Sequence, residues 1–158
     1  MTWSDIGYLI SLSLISSLSF HDSPQSRRTQ PPDGAKLYSA TCQTCHQANG
    51  LGLPNQFPPL VGSEWVLGNE ARFVMIILHG VVGEIEVEGE TFNGAMPTWG
   101  PTFKDEELAA VASYVRRSWG HKAAPITTAT VTRVRLSHAS RTKPWTVPEL
   151  LKATANKP

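Results

Sequence analysis

The sequence predicts an all-α domain that carries one small β-hairpin. Three observations point there. A helical pattern leads into a cysteine pair at Cys42 and Cys45, a strongly amphipathic helix follows Lys104, and between them acidic and apolar residues alternate across a glycine turn.

Taken in order, Asp33 has the character of an N-cap and opens a helix from Gly34 to Cys45, in which Ala35, Leu37, Tyr38 and Cys42 can share a face. The stretch from Gln47 to Ser63 is studded with glycine and proline and reads as a loop. Its Leu51, Leu53, Phe57, Leu60 and Val61 are too many for a solvated loop, so it is expected to wrap something apolar. A short helix starts at Asn69 or Glu70, with Gly80 as its C-cap. "GEIEVEGETFNG" forms the hairpin across Glu88-Gly89-Glu90, and "AMPTWGPTF" is another loop. "KDEELAAVASYVRRSWG" has acids in its first turn, Arg116 and Arg117 in its last and Gly120 as terminator. A weaker helical pattern covers Thr130 to His138, and a short turn at "TVPEL" has capping-box spacing between Thr146 and Glu149. Trp145, Leu150 and Leu151 are too apolar for a free tail, which is expected to fold back or dock on another subunit.

The 158 residues suit one domain with an additional arm. Four segments are expected: a signal peptide or anchor at 1–20, a linker at 21–33, the main domain at 34–120 and an extension at 121–158. Ile6 to Phe20 is an apolar, serine-rich run of signal-core length without a preceding Lys or Arg, and Ser17 and Ser19 suit cleavage after Ser19. The net charge of +1 gives no sign of nucleic-acid binding, yet it conceals asymmetry. Residues 61–110 carry two basic and nine acidic groups, whereas residues 111–158 carry nine basic and one acidic.

Both cysteines of the chain lie in "CQTCH". A closed zinc site needs four ligands, and His21, His79, His121 and His138 are scattered singly. A thioredoxin-type pair follows a strand in a βαβ unit, whereas these cysteines end a helix. Covalent attachment of a c-type haem fits. Each sulfur bonds one of two vinyl groups on one porphyrin edge, a helical turn spans that edge, and the next residue, His46, falls beneath the iron. The second axial position then separates electron transfer from catalysis or gas binding. Met75 and His79 read as core packing and a helix end. Met96, between Gly94 and Pro97 and expected outside any helix or strand, is the preferred ligand, with His79 as the alternative.

These residues resemble a class I cytochrome c from about Gly34 to Gly120: a helix ending in CxxCH, a proline-rich loop, a short helix, a methionine loop and a terminal helix. The resemblance implies that the first and last helices cross, with Gly34 or Ala35 and Tyr38 against Val111 and Tyr114. It implies that the carbonyl of Pro58 accepts a hydrogen bond from His46, and that Leu60 lines the haem. "FPPLVGSEWVLGN", "ILHG", "GETFNGAMPTWG", "YVRRSWG" and "RTKPWTVPEL" resemble bacterial cytochrome modules associated with sugar or alcohol dehydrogenases. Such modules often carry a second arginine where this chain has Met75. Arg72 is therefore the main candidate for a haem propionate, with Trp65 and Trp99 as further candidates for the propionates or the ring.

The resemblance implies one-electron transfer by a single haem c held by Cys42 and Cys45, with His46 and Met96 as axial ligands and no substrate turnover. Expected partners are a dehydrogenase donor and a cytochrome or oxidase acceptor, with Glu84, Glu86, Glu88 and Glu90 or the basic tail steering them. Because haem attachment in bacteria occurs outside the cytoplasmic membrane, the chain is expected in the periplasm or otherwise outside that membrane, either soluble or anchored through residues 6–20. A haem enzyme or a gas or redox sensor with a displaceable sixth ligand is the alternative, and a colourless interaction protein is the last.

Overall fold

The computed structural model describes residues 30–155; the expected leader and residues 21–29 of the linker lie outside the described residues. Asp33 caps helix α1 (Gly34–Thr41) by accepting from the amides of Ala35 and Lys36. The expected single helix to Cys45 is instead α1 followed by α2 (Gln43–His46). The interruption is slight, because Cys42 keeps helical dihedrals and its amide still bonds the Tyr38 carbonyl. Gln47, at φ 61°, ends the run.

The loop from Gln47 contains one element that its composition concealed. Ser63 accepts from the Trp65 amide and caps a single turn, α3 (Glu64–Leu67). Asn69 then caps α4 (Glu70–His79), and Gly80 closes it at φ 76°. Every residue of α4 from Phe73 to Leu78 is buried. A helix apolar on all sides has to be covered on all sides, and the extension provides part of the cover.

Strands β1 (Val81–Val87) and β2 (Glu90–Met96) pair antiparallel, with Val81 opposite Met96 and Val87 opposite Glu90. Among the described residues the chain is therefore helical apart from one two-stranded antiparallel sheet, the small hairpin that the sequence led one to expect. Met96 is corrected: it is the last residue of β2, not part of a free loop.

Helix α5 (Asp105–Arg117) packs across α1. Of the two small residues proposed for that crossing, Gly34 makes it: a Cβ there would stand 2.3 Å from the Ala110 carbonyl oxygen. Tyr38 is buried beside it, its ring 5.4 Å from that of Tyr114, and its hydroxyl donates to the Gln47 carbonyl at 2.6 Å.

The tail folds back over the domain. Helix α6 (Thr128–Ser137) packs on α4 and α5, and α7 (Val147–Thr154) on α4 and β1. The "TVPEL" turn is thus the start of a full helix, with Thr146 and Glu149 forming the expected capping box. Met75 of α4, together with His138 and Ala153, lines a small crevice under the extension, which accounts for it as packing. Trp145 is 5% exposed and Leu150 fully buried, while Leu151 remains exposed. No helix among the described residues is long and apolar enough to cross a membrane.

Candidate functional site

A cavity with about 1080 Å³ of empty space, counted out to its open mouth, lies between the cysteine helix, the proline loop, α4 and the hairpin. Cys42, Cys45 and His46 supply one wall, Pro58 and Leu60 another, Phe73 and Ile76 of α4 its floor. The hairpin closes it. Val81, Gly83, Ile85 and Val87 of β1 face the cavity with Phe92, Gly94 and Met96 of β2, as the period of two along a strand dictates. Glu84 and Glu86 fall between them and take the other face.

Polarity in the site is confined to the cysteines, His46 and a few loop groups. The Nδ1 of His46 lies 3.0 Å from the Pro58 carbonyl oxygen. A carbonyl only accepts, so Nδ1 carries the hydrogen and Nε2 is left with its lone pair. Burial lowers the His46 pKa below the ordinary imidazole value, against the opposing effect of the Pro58 carbonyl. The ring is therefore neutral near pH 7 and fit to be a ligand. Burial pushes the Cys42 thiol up; a hydrogen bond to Thr41 opposes this, and the charge of Cys45 adds to it. That direction is opposite to the lowered thiol of a redox-active Cys-x-x-Cys pair.

The residues fit a covalently held haem on several independent grounds. Both thiols are free and both line the cavity. Gly83 and Gly94 stand opposite each other in the hairpin, and a Cβ at either would meet nothing within 4 Å, so the strand wall leaves room for a flat ring. No group of three or more His, Cys, Asp or Glu that could hold a metal ion by themselves occurs among the described residues.

Eight of the nine predicted binding residues, namely Cys42, Cys45, His46, Pro58, Leu60, Trp65, Met96 and Trp99, line this cavity. Trp65 has its indole N–H engaged by the Glu86 carbonyl at 2.7 Å, so this group is not free for a propionate. Trp99 stacks on Phe103 at 5.8 Å. Arg72 is not among the lining residues; its guanidinium lies 4.9 Å over the ring of Trp65, which is. The alternative ligand His79 is absent from the lining too and packs against His138 and Trp145. Of the loop leucines, Leu60 lines the cavity, whereas Leu51 and Leu53 stay exposed. The lining role of Phe73, Ile76, Ile85 and Phe92 was missed; the alternation in the hairpin was the signal that could have found the last two.

The model of the family described as cytochrome c oxidase, cbb3-type, subunit III matches residues 29–115. Cytochrome c-552 of Thermus thermophilus is 42% identical over 92 residues, covering 56% of this chain and 69% of that protein. The cytochrome c subunit of a quinone alcohol dehydrogenase from Gluconacetobacter polyoxogenes is 34% identical over 113 residues, 70% of this chain and 24% of that subunit. A fructose dehydrogenase cytochrome subunit from Gluconobacter japonicus is 31% identical over 117 residues, 70% of this chain and 23% of that subunit. The chain thus spans about a quarter of the dehydrogenase subunits that it matches.

Proposed function

The chain belongs to the cytochrome c family, a family of electron-transfer proteins with covalently bound haem c, and from that premise we propose a carrier with His46 and Met96 as axial ligands. The observation that carries the ligand pair is the placing of both side chains on one cavity, with the Nε2 of His46 left as the donor. Haem c bound through Cys42 and Cys45 supplies an iron that exchanges one electron between its ferrous and ferric forms.

The protein's own groups set the terms of that exchange. Pro58 fixes the tautomer of His46 and makes it the better donor. Met96 offers a thioether, which favours the reduced iron, and the apolar lining adds to this by excluding water. With His46 and Met96 both held as its ligands, the haem iron would have no position open to substrate, as a carrier requires. Arg72 steadies Trp65 at the cavity wall, and Trp99, stacked on Phe103, would offer the cofactor its ring or its indole N–H.

Residues 34–120 are read as the class I cytochrome c domain, its first and last helices crossed at Gly34, and residues 121–158 as an extension built onto it. The likeness to dehydrogenase cytochrome subunits supports a periplasmic dehydrogenase as donor and a respiratory cytochrome or oxidase as acceptor. Partners are proposed to meet the chain near Cys42 and Cys45, with the outer carboxylates of the hairpin favouring a basic surface.

The test is the visible spectrum of holoprotein made with a haem-attachment system, oxidised and reduced, before and after acid–acetone extraction. Retained haem and a sulfur-to-iron charge-transfer band that vanishes in Met96→Ala are the expected results. Retained haem with no such band in the wild type overturns Met96 as ligand and restores the enzyme and sensor alternatives.

A further inference from the structure

Val81 has a backbone partner on each side. On one edge it pairs with Met96, and on the other it forms a parallel bridge with Trp145 of the extension. The Val82 amide donates to the Trp145 carbonyl at 2.8 Å, and the Trp145 amide to the Gly80 carbonyl at 3.0 Å. The extension therefore adds a one-residue third strand to the sheet, at the level of the methionine.

Trp145 is itself held from several directions. The Arg141 guanidinium covers its ring at 3.4 Å, and the rings of His79 and His138 meet it edge-on. Arg141 donates to the Glu149 carboxylate at 2.8 Å, and that carboxylate also accepts from the Thr146 amide at 2.9 Å. Residues on both sides of Trp145 are thus tied to one another. Beside this pairing the two backbones approach closely: a Cβ at Gly80 would stand 2.4 Å from the Met96 carbonyl oxygen.

From this arrangement we propose that Trp145 is a positioning residue for Met96, holding the base of the hairpin so that the methionine sulfur stays directed at the axial site. The proposal rests on Met96 as ligand. Trp145 is not among the residues that line the cavity, and acts through Val81, which is. Releasing it frees the edge of β1 and shifts the population towards a form with Met96 away from the axial position.

The experiment uses full-length holoprotein: wild type, Trp145→Ala, Trp145→Phe and Val131→Ala, the last a buried α6 residue outside the hairpin and the cavity. Two properties are read, the ferric sulfur-to-iron band and the rate at which the ferrous form takes up carbon monoxide. A rate limited by the population of the open form scales with that population. Trp145→Ala is expected to weaken the band and to accelerate uptake about tenfold or more. Trp145→Phe retains the bridge and a packed ring, and is expected to restore both properties; Val131→Ala is expected to lower thermal stability without changing either. Wild-type band and rate in Trp145→Ala, or an equal change in Val131→Ala, overturn the proposal. Should Trp145→Ala yield no folded holoprotein, Arg141→Ala decides: faster uptake supports the proposal and an unchanged rate overturns it. A wild type that lacks the band removes the ligand assignment first and the proposal with it, so the two failures are distinct.

Discussion

The Nδ1 of His46 and the carbonyl oxygen of Pro58 lie 3.0 Å apart, and this one bond joins the cysteine-bearing helix to the proline loop at the heart of the cavity. Gly52 is packed against the same carbonyl. It has φ +64°, and a Cβ there would fall 2.1 Å from the Phe57 oxygen and 2.6 Å from the Pro58 oxygen. Gly52→Ala is therefore expected to destabilise the fold by about 1–3 kcal/mol. By weakening the bond it makes His46 a poorer donor, which favours ferrous iron and raises the midpoint potential. Denaturant titration and potentiometry of the same preparation check both effects; unchanged stability would show that the loop adapts freely.

The crossing of α1 and α5 gives a test that leaves the cavity alone. A Cβ at Gly34 meets backbone, the Ala110 carbonyl, which cannot swing aside as a side chain can. Gly34→Ala is expected to cost about 1–3 kcal/mol by overpacking, with the haem spectrum unaltered. Unfolding in guanidinium, followed by far-ultraviolet circular dichroism, measures it.

His121 makes a second long-range tie. The Gly62 amide donates to its Nε2 at 3.0 Å, and its Nδ1 donates to the Val115 carbonyl at 3.0 Å. His121→Ala leaves both groups without that partner and is expected to cost about 1–3 kcal/mol. Hydrogen exchange should locate the effect, with protection of the Gly62 amide falling by about tenfold or more.

Acid should loosen the extension first. The Thr146 amide, then Arg141 and the Thr146 hydroxyl, pull the Glu149 carboxyl down to about 2 from 4.5. Burial pushes the Asp105 carboxyl up, but hydrogen bonds from Thr132 and Arg135 and the charge of Arg135 outweigh it, so its value is lowered. Both folded values lie below the unfolded ones. Their contribution is therefore complete above the ordinary carboxylate range and is lost as pH falls through the lowered values. Thermal midpoints measured between neutral pH and pH 2 should fall over that interval. Asp105→Asn/Glu149→Gln should start lower and follow a flatter curve. Added salt should mute the exposed Arg141–Glu149 part in the wild type.

Most of the helices, the hairpin turn and the attachment motif were legible because each is local: a cap, a period or a spacing fixes it. Asp33, the Thr146–Glu149 pair and Cys42-x-x-Cys45-His46 are of this kind. What escaped depends on distant partners. The turn at α3 is too short to show a period. The end of β2 at Met96 is set by pairing with Val81, whereas the flanking glycine and proline alone suggested a loop. Arg72 could be assigned to an anion by charge, yet its position over Trp65 is a tertiary fact. The unbroken burial of α4 likewise depends on the extension, which packs on one of its sides.

The hairpin places its cavity lining and its outer carboxylates on alternate residues of one strand. A single inserted or deleted residue between Gly83 and Val87 would exchange the two faces, putting glutamates towards the cavity and turning Ile85 outward. Substitution in this segment is thus a graded change, whereas a frame of odd length is an abrupt one. Among homologous genes, changes of length should collect at the Glu88–Gly89 turn and be purged from the strands on either side, while the letters between them remain free to drift.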